Sequence, residues 1–310
     1  MSTLPAVAVL VPCYNEAVAI GLVVEQFRQA LPQARIYVYD NNSTDDTIAV
    51  ARAAGAIVRS VSRQGKGNVV RRMFADVEAD VYLLVDGDAT YHALSAPAMI
   101  ERLVTEELDM VVGCRDSEED AAYRLGHKFG NRVLTGCVAR LFGSEFSDIL
   151  SGYRVFSRRY VKSFPALAEG FETETELTVH ALELRMPIAE IRTPYVSRPE
   201  GSVSKLSTYR DGWRILGTIV RLFKAERPLA FFSAIGLVLA IFATVLTLPL
   251  LQTYLVTGLV PRFPTAILAT GVMLAAMGCF MCGLILDTVT RGRQEVKRLA
   301  YLAIPLRSYR

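Results

Sequence analysis

The stretch "LLVDGDATYH", residues 83–92, runs from apolar side chains straight into two aspartates separated by one glycine, Asp86 and Asp88. A buried strand that ends in paired carboxylates puts charge where burial is costly, so the pair needs a partner. Two carboxylates one residue apart can turn toward the same hard cation, and Gly87 between them is expected to let the backbone bend tightly. A divalent ion held by so few protein ligands completes its shell with water and phosphate oxygens, which suits a nucleoside diphosphate. The D-x-D string alone recurs by chance, so the weight falls on what surrounds it.

Working outward, strand-like runs at 6–13, 35–41, 56–61, 81–88 and 108–115 alternate with segments of helical spacing. That alternation predicts an α/β domain, a mostly parallel sheet covered by helices. Ligands bind such sheets at the carboxyl ends of the strands. The polar departures from the pattern fall there: Asn15 and Glu16 after the first run, Asp40 after the second, "RQGKG" (63–67) after the third, Asp86 and Asp88 after the fourth, and Arg115 after the fifth. Their convergence is the main argument for a site. The polar run "NNSTDD" (41–46) reads instead as a helix start, with Ser43 or Thr44 as the cap.

The chain has 310 residues, more than one such domain needs. Residues 229–251 and 264–286 hold no charged side chain, and each run exceeds the ~20 residues that cross a bilayer core, which predicts two transmembrane helices. Arg221, Lys224 and Arg227 precede the first run and Arg291, Arg293, Lys297 and Arg298 follow the second, while the connection holds only Arg262. By the positive-inside rule the catalytic domain and both termini are expected on the cytoplasmic side of the inner membrane. The start, "MSTLPAVAVLVPCYNE", lacks a basic n-region and reads as a strand. The expected organisation is a cytosolic domain (1–203), an amphipathic interface helix (204–228), a two-helix membrane hairpin (229–286) and a cytosolic tail (287–310). In the second segment Trp213, Leu216, Val220 and Phe223 recur at helical spacing among Arg210, Arg214, Arg221 and Lys224, a composition for the headgroup region; 127–142 is similar. Cys13, Cys114 and Cys137 lie on the reducing side, and Cys279 and Cys282 read as small packing residues within a span. A net charge of +3 selects no partner, and nothing points to nucleic acid.

The ordered set "VPCYNE" (11–16), "YDNNSTDDT" (39–47), "GKG" (65–67), "DGD" (86–88), "GCR" (113–115), "SGYR" (151–154) and "RPEGSVSK" (198–205), followed by two apolar helices, resembles the family 2 glycosyltransferases of GT-A fold. Within them it resembles the polyprenyl-phosphate enzymes related to dolichyl-phosphate mannose synthase. The resemblance spans essentially the whole chain. It implies that Pro12, Tyr14, Asn15 and Glu16 line the nucleoside pocket, that Asp40 accepts hydrogen bonds from the base, and that Lys66 lies near the diphosphate. Asp86 would face ribose and metal, and Asp88 would coordinate the Mg2+ or Mn2+ that bridges the diphosphate. Arg115, Lys128, Arg154, Arg198, Ser204 and Lys205 are implied on the acceptor-phosphate side, with Asp148 and Glu176 beside the reacting groups; Glu176 is ranked above Glu172 and Glu174. Two positions depart from the pattern: Lys205 follows Gly201 by four residues, and Lys128 stands in place of an arginine. Thr90, Tyr91 and His92 differ from the mannose synthases, so their donor does not carry over; the family resemblance implies a uridine diphosphate sugar.

The resemblance also implies a homo-oligomer, a tetramer, for which small residues in "ATGVMLAAMGC" (269–279) would supply close contacts. A lipid phosphate already carries a nucleophilic oxygen near neutral pH, its second pKa being about 6, so catalysis can rest on positioning and charge neutralisation. A processive polysaccharide synthase needs more spans and a Q-x-x-R-W segment that this sequence lacks, and a silent scaffold predicts lost aspartates that are present.

Overall fold

The computed structural model describes residues 4–116, 136, 147–166, 173–199, 217 and 220–305. The five expected strands form as β1 (Val7–Cys13), β2 (Arg35–Asp40), β3 (Ile57–Ser60), β4 (Val81–Leu84) and β5 (Met110–Asp116). Helices α1 (Ile20–Ala30), α2 (Thr47–Ala53), α3 (Lys66–Asp76) and α4 (Ala96–Thr105) connect them. Two further strands complete a seven-stranded sheet, β6 (Arg154–Ser157) and β7 (Ile188–Pro194), in the order β3-β2-β1-β4-β6-β5-β7. β6 runs antiparallel to β4 and β5, and the other pairings are parallel. Short helix α5 (Arg158–Ser163) follows β6, and α6 (Thr173–Glu183) precedes β7.

The central strands are covered on both faces, which is why their sequences read as unbroken apolar runs rather than alternating ones. Val9, Val11, Leu83 and Val85 pack with Ile20, Val24 and Phe27 of α1 in the main core. Each such buried side chain contributes roughly 1.5–3 kcal/mol. β4 is shorter than its sequence suggests. Its last residue, Leu84, pairs with the first residue of β6, Arg154, so no ladder partner continues on that side and the chain turns out of the sheet into the aspartates.

Arg154 is the largest side chain with no exposed surface among the described residues. Its guanidinium donates to the carbonyls of Ser151 (2.9 Å) and Ile149 (2.6 Å) and to Thr178 Oγ1 (2.9 Å). Burial holds its pKa below the ordinary arginine value, with nearby Tyr160, Glu174 and Asp148 opposing that effect. The acceptor-phosphate role expected for Arg154 is therefore corrected: it ties the loop before β6 to α6 from inside and offers nothing to a ligand.

Two C-terminal helices, α7 (Pro228–Thr257) and α8 (Phe263–Leu302), are long and apolar enough to span a membrane. The chain divides into two compact units, Met1–Ile215 with Val296–Arg310, and Leu216–Glu295. In the second unit, α7 and α8 meet through small residues: a Cβ on Gly236 would lie 3.0 Å from the Ala276 carbonyl oxygen, and one on Gly283 would lie 3.1 Å from Phe232 Cβ. The buried positions Gly236, Ala243 and Leu250 on α7 and Ala269, Ala276 and Gly283 on α8 recur every seven residues, the repeat of a left-handed helix pair. Ala269 and Ala276, expected to contact other copies, are thus used within the chain. Cys279 joins this seam through its Cβ, whereas Cys282 is exposed. α8 continues beyond Asp287 to Leu302, through residues expected to form a tail. In the first unit, Lys297 pairs with Glu183 Oε2 at 2.6 Å and the Tyr301 hydroxyl donates to Asp109 Oδ2 at 2.7 Å. Of the expected interface helix, residues 217 and 220–228 are described and 220–226 are helical, while the rest lies outside the described residues.

Because Arg154 satisfies three buried acceptors, Arg154→Met should lower stability by about 3 kcal/mol or more. Thermal unfolding of the full chain in mild detergent checks this, and an unchanged midpoint would contradict the role assigned to the side chain.

Candidate active site

The carboxyl ends of β1, β2 and β4 are fastened to one another by side chains from the loops. After β1, Asn15 takes a left-handed conformation (φ 51°). Its N–H donates to Ser43 Oγ (2.8 Å), and its Oδ1 accepts from Thr44 N–H (2.7 Å). The Glu16 N–H donates to Thr47 Oγ1 at 2.8 Å, and the Ala17 N–H to Asp45 Oδ2 at 3.2 Å. The run 41–46 is thus a clasp between two strand ends. Neither Ser43 nor Thr44 caps α2; the residue before that helix is Asp46, and Asp45 Oδ1 accepts from the Thr47 N–H at 3.1 Å. Asn41 extends the clasp, donating to the carbonyls of Val61 and Arg63 and accepting from the Gly65 N–H at 2.7 Å. Pro12 is half-buried on β1 and Tyr14 is exposed beyond it.

Asp40 sits at the floor of this rim, 2% exposed. Its Oδ2 accepts from the Ser43 N–H (3.2 Å), while its Oδ1 is buried without a hydrogen-bond partner among the described residues. An acceptor left so costs about 1–3 kcal/mol, which a donor group on a ligand would relieve.

The two aspartates of the opening stretch hold different partners. Asp86 Oδ1 accepts from Lys66 Nζ at 2.5 Å, and the same ammonium is bound by Glu174 Oε1. Burial works against the charge on Lys66, yet the Asp86 and Glu174 carboxylates outweigh it and hold the pKa above the ordinary lysine value. Asp88 Oδ2 pairs with Arg198 at 2.7 Å, and its Oδ1 accepts from Thr90 Oγ1 (2.6 Å) and N–H (3.2 Å). Gly87 serves close approach rather than the bend, since a Cβ there would lie 2.6 Å from Cys13 Sγ; the left-handed residue of the turn is Ala89 (φ 58°). Gly152 is needed for the same reason, a Cβ there falling 2.4 Å from Asp86 Oδ2. The Gly152 N–H donates to the Tyr91 hydroxyl (2.9 Å), so the residues after D-x-D position the loop that leads into β6.

Arg115 grips Asp148 with both arms, Nε to Oδ2 at 2.7 Å and Nη2 to Oδ1 at 2.8 Å, and its guanidinium lies 5.7 Å from the centre of the Tyr195 ring. Val196 N–H bonds the Thr90 carbonyl (3.0 Å), which draws the chain after β7, and Arg198 with it, to the D-x-D turn. Lys128, Ser204 and Lys205 lie outside the described residues. On α6 it is Glu174 that meets Lys66, a contact the sequence did not single out.

Asp86 and Asp88 supply hard carboxylate oxygens of the kind Mg2+ and Mn2+ take, so the donor set fits such an ion. Among the described residues no three His, Cys, Asp or Glu side chains gather, so an ion here would rely on ligand oxygens for the rest of its shell.

Residues 8–164, half of the chain, match the glycosyl transferase family 2. The chain belongs to that family. Glycosyltransferase AglJ of Haloferax volcanii is 35% identical over 307 residues, 97% of this glycosyltransferase and 100% of the relative. The dodecaprenyl-phosphate galacturonate synthase of Rhizobium johnstonii is 22% identical over 299 residues, 92% and 87% of the two chains. Among solved structures, glucosyl-3-phosphoglycerate synthase of Mycobacterium tuberculosis, crystallised with Mn2+, uridine-diphosphate-glucose and phosphoglyceric acid, superposes with a TM-score of 0.60. It is 24% identical and covers 71% of this chain and 79% of its own. That likeness establishes the GT-A-like fold.

Gly152→Ala should displace Asp86 and lower transfer activity at least about tenfold, whereas Gly271→Ala, whose Cβ meets nothing within 4 Å, should be silent. Parallel turnover measurements on the two variants check this.

Proposed function

We propose that this glycosyltransferase moves one sugar from a nucleoside diphosphate, a uridine diphosphate sugar by the sequence resemblance, onto a polyprenyl monophosphate at the cytoplasmic face of a membrane, with inversion. The observation that carries the reading is the placement, at neighbouring strand ends, of an Asp40 oxygen without a hydrogen-bond partner among the described residues, the Lys66 ammonium and the Asp86 and Asp88 carboxylates. Along the sheet these ends would take the parts of a nucleotide in order, Asp40 on β2 the base, the β1 end the nucleoside, and the turn after β4 the diphosphate. The two apolar helices and a relative named for dodecaprenyl phosphate, matched along most of both chains, support a lipid acceptor.

Asp40 Oδ1 accepts a hydrogen bond from the base. Lys66 faces the diphosphate. Asp86 and Asp88 hold Mg2+ or Mn2+, which when bound lowers the charge of the leaving diphosphate. An oxygen of the lipid phosphate forms the bond to the anomeric carbon while the bond from that carbon to the diphosphate breaks, and the nucleoside diphosphate departs with the electron pair. No proton need be removed from a phosphate already ionised, so the protein's work is orientation and charge placement. Arg198, drawn to the D-x-D turn by the chain after β7, is the described cation best placed to meet the acceptor phosphate, which would compete with Asp88 for it.

Four outcomes test the reading. Asp88→Ala should abolish transfer, and EDTA should do the same to the unaltered protein; activity surviving either would remove the metal. Arg198→Ala should cut transfer to polyprenyl phosphate by about a hundredfold while nucleotide affinity measured without lipid changes little. Polyprenol, lacking the phosphate, should not be glycosylated, and its efficient use would overturn the acceptor assignment.

A further inference from the structure

Lys66 opens α3 directly behind Gly65, which adopts φ 125° and whose N–H is held by Asn41. The backbone of this lysine is therefore fixed, but its side chain is a flexible four-carbon stem. An ammonium has three N–H donors. Two are engaged, one by Asp86 and one by Glu174, the second residue of α6. The contact is largely sheltered, with the Lys66 and Glu174 side chains 14% and 9% exposed. Asp86 alone would neutralise Lys66. The second carboxylate is not needed for that neutralisation, and it also lies within electrostatic reach of the buried Arg154 guanidinium.

We propose that Glu174 is a positioning residue: together with Asp86 it fixes two donors of the Lys66 ammonium and so directs the third toward the diphosphate of the sugar donor. Glu174 touches neither reacting atom, and its effect passes through Lys66. This inference rests on the donor reading given above for Lys66.

The test is a double-mutant cycle on the full-length protein in detergent. Binding of uridine and guanosine diphosphates with Mn2+ is measured by calorimetry without lipid, using whichever nucleotide binds the unaltered chain, and turnover is measured in parallel. Lys66→Ala and Glu174→Ala should each weaken nucleotide binding by about ten- to a hundredfold, and the double variant should be no worse than Lys66→Ala alone. Glu174→Gln, which keeps an oxygen acceptor for Nζ, should recover most of the loss. If Glu174→Ala loses its cooperative melting transition, the cycle is repeated with Glu174→Asp, whose carboxylate sits one methylene further from Nζ. Additive losses, or a Glu174→Gln variant as impaired as Glu174→Ala, would overturn the positioning role while leaving the donor reading intact. Unchanged nucleotide affinity in Lys66→Ala would overturn the donor reading itself, and this inference with it.

Discussion

Asp86 and Asp88 stand where a buried strand leaves its sheet, and charge in such a place is stable only when cations face it. Lys66 and Arg198 meet that requirement from distant parts of the chain, one at the start of α3 and the other beyond β7. The surrounding architecture can be understood as the means of delivering them. The clasp of Asn15, Asn41 and Ser43 fixes the loop that carries Lys66, and the bond between Val196 and Thr90 draws in the segment that carries Arg198. Under the proposed function, a nucleoside diphosphate with a divalent ion would bring both signs of charge to these strand ends, so resident pairs could be exchanged for ligand pairs without stranding an ion.

The antiparallel strand β6 has a part in this that its length conceals. By pairing with β4 only as far as Leu84 it releases the aspartates from the sheet, and through Gly152 it passes close against Asp86. Arg154 secures the approach from inside by tying the carbonyls of Ile149 and Ser151 to α6. The family match thus spans β1 to β6, while α6 and the residues after β7 supply further groups of the charge pattern.

The parallel half was legible because strands covered on both faces are written as uninterrupted apolar runs, and β1 to β5 were located within a few residues of their bounds. β6 was not, since it has four residues and starts with an arginine whose burial depends on acceptors that no local pattern announces. β7 carries Glu190 and Arg192 on a half-exposed strand and lacks an apolar signature. At the site, Asp40, Lys66, Asp86, Asp88 and Arg115 were marked by lying at strand ends. Glu176 was ranked above Glu174 because the resemblance singles it out, and the contact of Glu174 with Lys66 depends on how α6 packs against the start of α3, which no local pattern announces. The run 41–46 has the composition of a cap, and its use as a clasp depends on β1 lying beside β2.

The central claim is that one sugar is transferred to a lipid phosphate, and product mass tests it most directly. Purified full-length protein is incubated with Mg2+ or Mn2+, polyprenyl phosphate and a panel of nucleotide sugars, and the lipid fraction is analysed by mass spectrometry. The account predicts a single new species, heavier than the polyprenyl phosphate by one glycosyl residue, with one equivalent of nucleoside diphosphate released. A ladder of glycosyl additions, or nucleotide release with no sugar on the lipid, would contradict it.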